Sequence, residues 1–267
     1  MSPLRRMRPA LGTFVEIGVE DGPASALDAA FAAIGDAQAR WSFQDPDSEL
    51  SRLNRRPGAR VDVAPGTLRL LAFARLVALA SGGLFDPTVG GELVLRKVLP
   101  DHGGPAPLAR GCPDDIEVGS GWARLRRPVR VTLDGIAKGW AVDRAVGALR
   151  RAGATGGWVN AGGDLRVFGT AALDVQRREA DGSLRPLGTL RSGALATSRS
   201  GAFDPDFPAV LLAPHDAPAQ AGVWSVLATS AARADALTKV AAASGAAARS
   251  ALLARLGGRL VDTAEAS

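Results

Sequence analysis

Residues 13–20, "TFVEIGVE", alternate apolar and polar, with Val15, Ile17 and Val19 on one face. That period of two predicts a half-buried strand. Residues 23–41 switch period: Leu27, Phe31, Ile34 and Trp41 recur at helical spacing, which predicts an amphipathic helix. "DPDSELSRLN" reads as a loop running into a short helix. A second long helix is predicted over about 66–81, stopped by "SGG". Residues 100–128 are rich in Gly, Pro and Arg and predict irregular chain with short strands. "VRVTL" (129–133) reads as a strand, and "DGIAKG" as a loop opening a helix over 139–152. "WVNA", "GGD" and "LRVFG" predict a strand, a tight turn and a strand. Short strands are expected over 172–228, helices over about 231–244 and 246–257, and a last strand at "GRLVDT". The pattern is α+β, expected as one continuous domain over 1–267 with a mixed or antiparallel sheet.

Composition changes this picture little. The 267 residues are 46% hydrophobic and 22% charged, as in ordinary globular chains. A net charge of +5 suits an anionic ligand. The arginines are scattered in short clusters without interleaved aromatics, so no nucleic-acid partner is expected. Cys112 is the only cysteine, which excludes an intramolecular disulfide and a cysteine-rich metal site. No apolar run suggests a signal peptide, lipoprotein signal or membrane span, and the expected compartment is the cytoplasm. His102 and His215 lie in Pro-rich stretches without a Ser, Cys or second His at a telling distance. A Ser-His-Asp device or a His-based zinc site is therefore not expected.

Three glycine-bearing turns are candidates for chemistry. "GLFDPTVGG" (83–91) offers Asp86, a turn-initiating Pro87 and the Thr88 hydroxyl. "LDGIAKGWAVD" (133–143) sets Lys138 and Gly139 at a helix start, where amides and an ammonium favour an anion. A plain helix-start loop explains it equally well. "VNAGGDLRVFG" (159–169) has Gly162-Gly163, which admits close backbone approach, beside Asp164, although taken alone the stretch reads better as a plain β-turn. Near the C-terminus, "ADALTKV" places Asp235 and Lys239 four apart on one helical face, with Thr238 out of that register. Spacing alone leaves a metal site and an ordinary ion pair both open.

Taken in order, these segments resemble the ApbE family, the FAD:protein FMN transferases. The pieces are "LGTFVEI", "SFQDPDSELSRLN" (42–54), "GLFDPTVG" (83–90), "GIAKGWAVD" (135–143), "VNAGGDLRVFG" (159–169), "ALATS" (194–198) and "ADAL" (234–237). The resemblance implies a single α+β domain with FAD in a deep flavin-nucleotide cleft. It implies an enzyme that cleaves FAD and moves FMN to a Thr or Ser hydroxyl of an acceptor flavoprotein, releasing AMP. Magnesium would bridge the pyrophosphate.

By the same resemblance, Phe43 matches an aromatic that covers the flavin nucleotide, and Asp86, Pro87 and Thr88 match the cleft loop. Lys138 matches the lysine near the phosphates, and the Ala137 carbonyl a metal ligand. Asn160, Gly162, Gly163 and Asp164 match the nucleotide-binding turn, Thr197 and Ser198 a second hydroxyl-bearing loop, and Asp235 the metal-binding carboxylate.

Three places depart from the family pattern. The family reads D-A-L-[AS]-T, and its Thr ligand is Lys239 here, so Asp235 and Lys239 are the residues on which catalysis turns. An H-I-x-D-P-x-T-G segment aligns with "VLLAPHDA" (210–217), where Val210 stands for the His and Ala213 for the Asp, and His215 is displaced. Arg199 replaces a Gly after "ATS". A catalytically impaired FAD-binding module is therefore the alternative expectation.

Overall fold

A computed structural model of the chain describes residues 3–201, 212 and 219–261. In chain order these form β1 (Leu4–Ala10), β2 (Thr13–Asp21), α1 (Ser25–Trp41), α2 (Glu49–Arg55), β3 (Val61–Asp62), α3 (Pro65–Ala80) and α4 (Gly90–Leu95). Then follow β4 (Ile116–Val118), β5 (Trp122–Leu125), α5 (Ala137–Arg151), β6 (Gly156–Ala161), β7 (Asp164–Gly169), β8 (Leu173–Arg178) and β9 (Leu184–Leu190). The chain closes with β10 (Gly193–Ser200), β11 (Gly222–Ala228), α6 (Ala231–Ala243), α7 (Ala246–Arg255) and β12 (Gly258–Leu260). The architecture is α+β. No helix among the described residues is long and apolar enough to cross a membrane.

The described chain divides into two compact units, one of residues 3–36, 138–201 and 219–261, the other of 37–137 and 212. The first holds a seven-stranded sheet in the order β1-β2-β6-β7-β10-β11-β12, antiparallel throughout. Val15, Ile17 and Val19 are buried on β2, as their alternation requires. β1 lacks such a signature because its side chains are almost all exposed. It exists because Leu11 and Gly12 both take positive φ, closing a two-residue hairpin between Ala10 and Thr13. Its arginines blunt an open sheet edge. α6 packs on β7, β10 and β11 and is buried on nearly every side. Its many alanines allow that closeness, and Asp235 and Thr238 are carried inside with them.

The second unit holds α2, α3, α4 and a three-stranded sheet in the order β3-β5-β4. One buried polar cluster there is paired: the Trp41 indole donates to Thr67 Oγ1 at 2.9 Å, Thr67 donates to Glu49, and Arg40 donates to Glu49 at 2.6 Å. Residues 129–133 are not the strand their alternation suggested. Arg130 makes one isolated parallel bridge to Val89. The Asn54 side chain takes both the N–H and the C=O of Val131, each at 2.8 Å, leaving no neighbour strand to pair with them. The helix expected at 139–152 starts at Ala137, so Lys138 and Gly139 lie inside its first turn rather than before it. α4 was not foreseen, and the final strand is described only to Leu260.

Candidate functional site

Nine of the expected site residues fall in the first unit: Lys138, Asn160, Gly162, Gly163, Asp164, Thr197, Ser198, Asp235 and Lys239. The glycine turn comes first. Gly162 and Gly163 alone join β6 to β7, with φ of +59° and +102°. A side chain at Gly162 would meet Thr13 Oγ1 at 2.5 Å. Asn160 Oδ1 accepts from the Gly163 N–H at 3.1 Å, holding the turn. The turn sets Asp164 at the start of β7, only 1% exposed.

Asp164 Oδ2 has no hydrogen bond among the described residues. Its ion partner is the Lys138 ammonium, 3.6 Å away and a third exposed. Burial, and then the negative charge of Asp235, push the Asp164 carboxyl up to about 7, against the pull of Lys138 and Lys239.

Asp235 is positioned through the start of α6. The Asp143 carboxylate accepts from the N–H groups of Ala231 at 2.9 Å and Ala232 at 3.0 Å, an anion at a helix N-terminus. It also pairs with Arg166. Gly139 lets α5 come close: a Cβ there would lie 2.3 Å from the Ala231 carbonyl oxygen. At that distance the Gly139 N–H donates to Asp235 Oδ2 at 3.1 Å. The other carboxylate oxygen is held by Lys239 Nζ.

The hydroxyls beyond Lys239 have one consistent proton order. Thr238 donates its single hydroxyl hydrogen to the Asp235 carbonyl at 2.7 Å. The 2.7 Å contact between Ser198 and Thr238 therefore has Ser198 as donor. Ser198 in turn accepts from the Lys239 ammonium at 3.1 Å. Thr197, its neighbour on β10, shares a hydrogen bond with Ser225 at 2.8 Å, and its N–H donates to Gly163 O at 3.2 Å.

These contacts close a ring. It runs Gly163–Asp164, Lys138–Gly139, Asp235, Lys239, Ser198–Thr197 and back to Gly163. Four sequence-distant segments are tied into one patch holding two ammoniums, two carboxylates and a glycine turn.

Phe43, Asp86, Thr88 and Ala137 fall in the second unit. Phe43 is buried, its carbonyl is 2.8 Å from His102 Nε2, and the two rings lie 6.2 Å apart. Asp86 Oδ1 accepts from the Thr88 N–H and hydroxyl at 2.7 and 2.6 Å, and Thr88 Oγ1 accepts from Gly111. The Asp86 oxygen thus holds its own loop, and the Thr88 oxygen ties that loop to Gly111. Ala137 opens α5, its N–H bonded to Leu133 O. Arg199 is exposed on β10, opposite Val223. Val210, Ala213 and His215 lie outside the described residues.

Sequence reasoning missed Asp143, Ser225 and His102 as supporting residues. Asp143 stood in the "GWAVD" segment, but nothing local marked it as the cap of a helix that begins 88 residues later.

The model of the ApbE family matches residues 11–261. The chain belongs to the ApbE family. It is 31% identical over 175 residues to the FAD:protein FMN transferase of Rhodobacter capsulatus. That match covers 59% of this chain and 33% of the relative, so the chain spans about a third of that protein's length. The ApbE protein of Thermotoga maritima superposes with a TM-score of 0.81 at 25% identity, covering 97% of this chain and 93% of that one. The apo flavinyl transferase ApbE of Pseudomonas stutzeri gives 0.80 at 21% identity, covering 95% and 88%. The ApbE fold is thus present.

Proposed function

We propose that this ApbE protein is an FAD:protein FMN transferase. An acceptor Thr or Ser hydroxyl oxygen attacks the FMN-side phosphorus of FAD. The bond from that phosphorus to the bridging oxygen breaks, AMP leaves with the bridging oxygen, and the hydroxyl proton is released. The observation that carries this reading is the closed ring, in which the Lys138 and Lys239 ammoniums flank the Gly162-Gly163 turn and the Ser198 hydroxyl. Splitting a pyrophosphate leaves little covalent work for the protein beyond placing the groups and neutralising charge on the phosphoryl oxygens. Two ammoniums supply charge, and a turn without side chains lets backbone come close to the phosphates. Asp164, carboxylic for part of the time near neutrality, costs the patch less negative charge than an ordinary aspartate.

Magnesium, which the family resemblance implies, does not fit the donors found here. One Asp235 oxygen is held by an ammonium, and the other accepts from the Gly139 N–H. The Thr238 hydroxyl is turned to a backbone carbonyl and to Ser198. Among the described residues no group of three or more His, Cys, Asp or Glu could hold a metal ion.

That same ammonium favours one second reading, a module that binds FAD without transferring FMN. Incubating the protein with FAD and an acceptor peptide, with and without magnesium, separates the two. AMP release with a covalently flavinylated, fluorescent peptide supports the transferase. FAD binding without AMP leaves only the module. Absence of FAD binding removes both.

A further inference from the structure

We propose that the Lys239 ammonium is a built-in cation: it occupies the place on Asp235 where a divalent ion would sit, so that the site takes a diphosphate-bearing nucleotide without added metal. The nucleotide part of this statement rests on the flavin reading above.

A divalent ion of magnesium type needs several oxygen ligands at about 2.0–2.1 Å in near-octahedral array. On α6 each candidate oxygen already has a partner, and a carboxylate neutralised by an ammonium attracts a second cation less. Asp235 Oδ1 carries the ammonium, and Oδ2 carries the Gly139 N–H. Thr238 sits one residue off the Asp235 register, and its hydroxyl closes onto the Asp235 carbonyl. An ion brought to Asp235 would meet a like charge that cannot move aside. The Lys239 side chain is only 17% exposed, and its ammonium is tied to Ser198 as well as to Asp235.

The arrangement also explains what the ammonium is for. Asp235 is 1% exposed, and a buried carboxylate requires a cation. Lys239 satisfies it from one helical turn away, a cation of the helix's own. An ammonium has three donors. Two are engaged among the described residues, by Asp235 and Ser198. The third is left for a ligand oxygen. Lys239 thus adds one fixed positive charge to the patch beside that of Lys138, without a dissociable group.

The test is FAD affinity, followed by flavin fluorescence anisotropy, in EDTA and in magnesium, for the intact protein and for Lys239→Thr and Lys239→Met. The intact protein should bind FAD with the same affinity in both, within about twofold. Lys239→Met loses a charge-assisted hydrogen bond to phosphate and should bind about tenfold more weakly in both. Lys239→Thr restores an oxygen and removes the repulsive charge, so it should weaken about tenfold in EDTA and recover in magnesium. A gain of about tenfold by the intact protein on adding magnesium would overturn the built-in cation and leave the flavin reading standing. So would indifference of Lys239→Thr to magnesium. If the intact protein binds no FAD in either condition, the flavin reading fails instead. Calorimetry with magnesium alone then decides the inference: binding to Lys239→Thr but not to the intact protein supports it, and equal behaviour overturns it. Lys239→Met keeps the aliphatic stem packed, so it carries the FAD comparison should the Thr variant fail to fold.

Discussion

The Asp235–Lys239 pair can be weighed by a double-mutant cycle. On an exposed helix face such a pair contributes about 0.3–0.5 kcal/mol. Here the carboxylate is 1% and the ammonium side chain 17% exposed, so the buried regime applies. Asp235→Ala leaves an ammonium with only Ser198 and strands the Gly139 N–H. Breaking a buried pair from one side costs about 3–5 kcal/mol, and the remaining exposure of Lys239 favours the lower end. Lys239→Met leaves a buried carboxylate with one backbone donor, and a cost of about 3 kcal/mol follows by the same reasoning. The double variant removes both charges and should cost only about 2 kcal/mol, chiefly for the small void and the lost Gly139 bond. The coupling is then about 4 kcal/mol. Urea titration at neutral pH reads it: with a slope of about 3 kcal/mol/M, each single variant should lower the midpoint by about 1 M. Additive costs, or single costs near 0.5 kcal/mol, would refute the reasoning, because they describe a pair that water has already screened.

Two further outcomes follow from the same ring. Asp164 prefers its protonated form in the fold, for its carboxyl is pushed up to about 7, first by burial and then by Asp235. The folded chain keeps a proton that the unfolded chain sheds near pH 4, so this group's contribution to stability falls as pH rises from about 4 to about 7 and is level above that. Asp164→Asn stays neutral throughout. It should flatten that slope in thermal melts and raise the melting temperature at pH 8, whereas parallel pH profiles for the two proteins would contradict the assignment. Gly139→Ala drives a Cβ to 2.3 Å from the Ala231 carbonyl oxygen, a backbone atom that cannot step aside without moving α6. Overpacking of this kind costs about 1–3 kcal/mol or more, and a fall in melting temperature of at least about 2 °C is expected by calorimetry. An unchanged melting temperature would mean that the two helices do not approach as closely as described.

Much of the scaffold was legible because local periodicity reports which face of an element is apolar. Val15, Ile17 and Val19 announced β2, and Leu27 and Ile34 announced α1, because burial of those side chains defines the element. β1 went unseen for the complementary reason: an edge strand of exposed arginines has no buried face to advertise. Residues 129–133 carried the right alternation and the wrong conclusion. Their burial is real, but their backbone is satisfied by Asn54, 77 positions away from Val131, and no local pattern encodes so remote a partner.

The site divides in the same way. Gly162-Gly163 was readable as a tight turn, since a two-residue link with positive φ at both positions leaves glycine as the natural choice. The spacing in "ADALTKV" by itself placed Asp235 and Lys239 on one helical face. It left a metal site and an ion pair undecided. Tertiary structure adds to the ion pair what spacing could not show, Gly139, 96 positions away, on one carboxylate oxygen and Ser198, 41 positions away, on the ammonium. Helical spacing is a property of the local backbone. Burial, and with it the strength of a charge pair, is set by segments that meet only when the chain has folded.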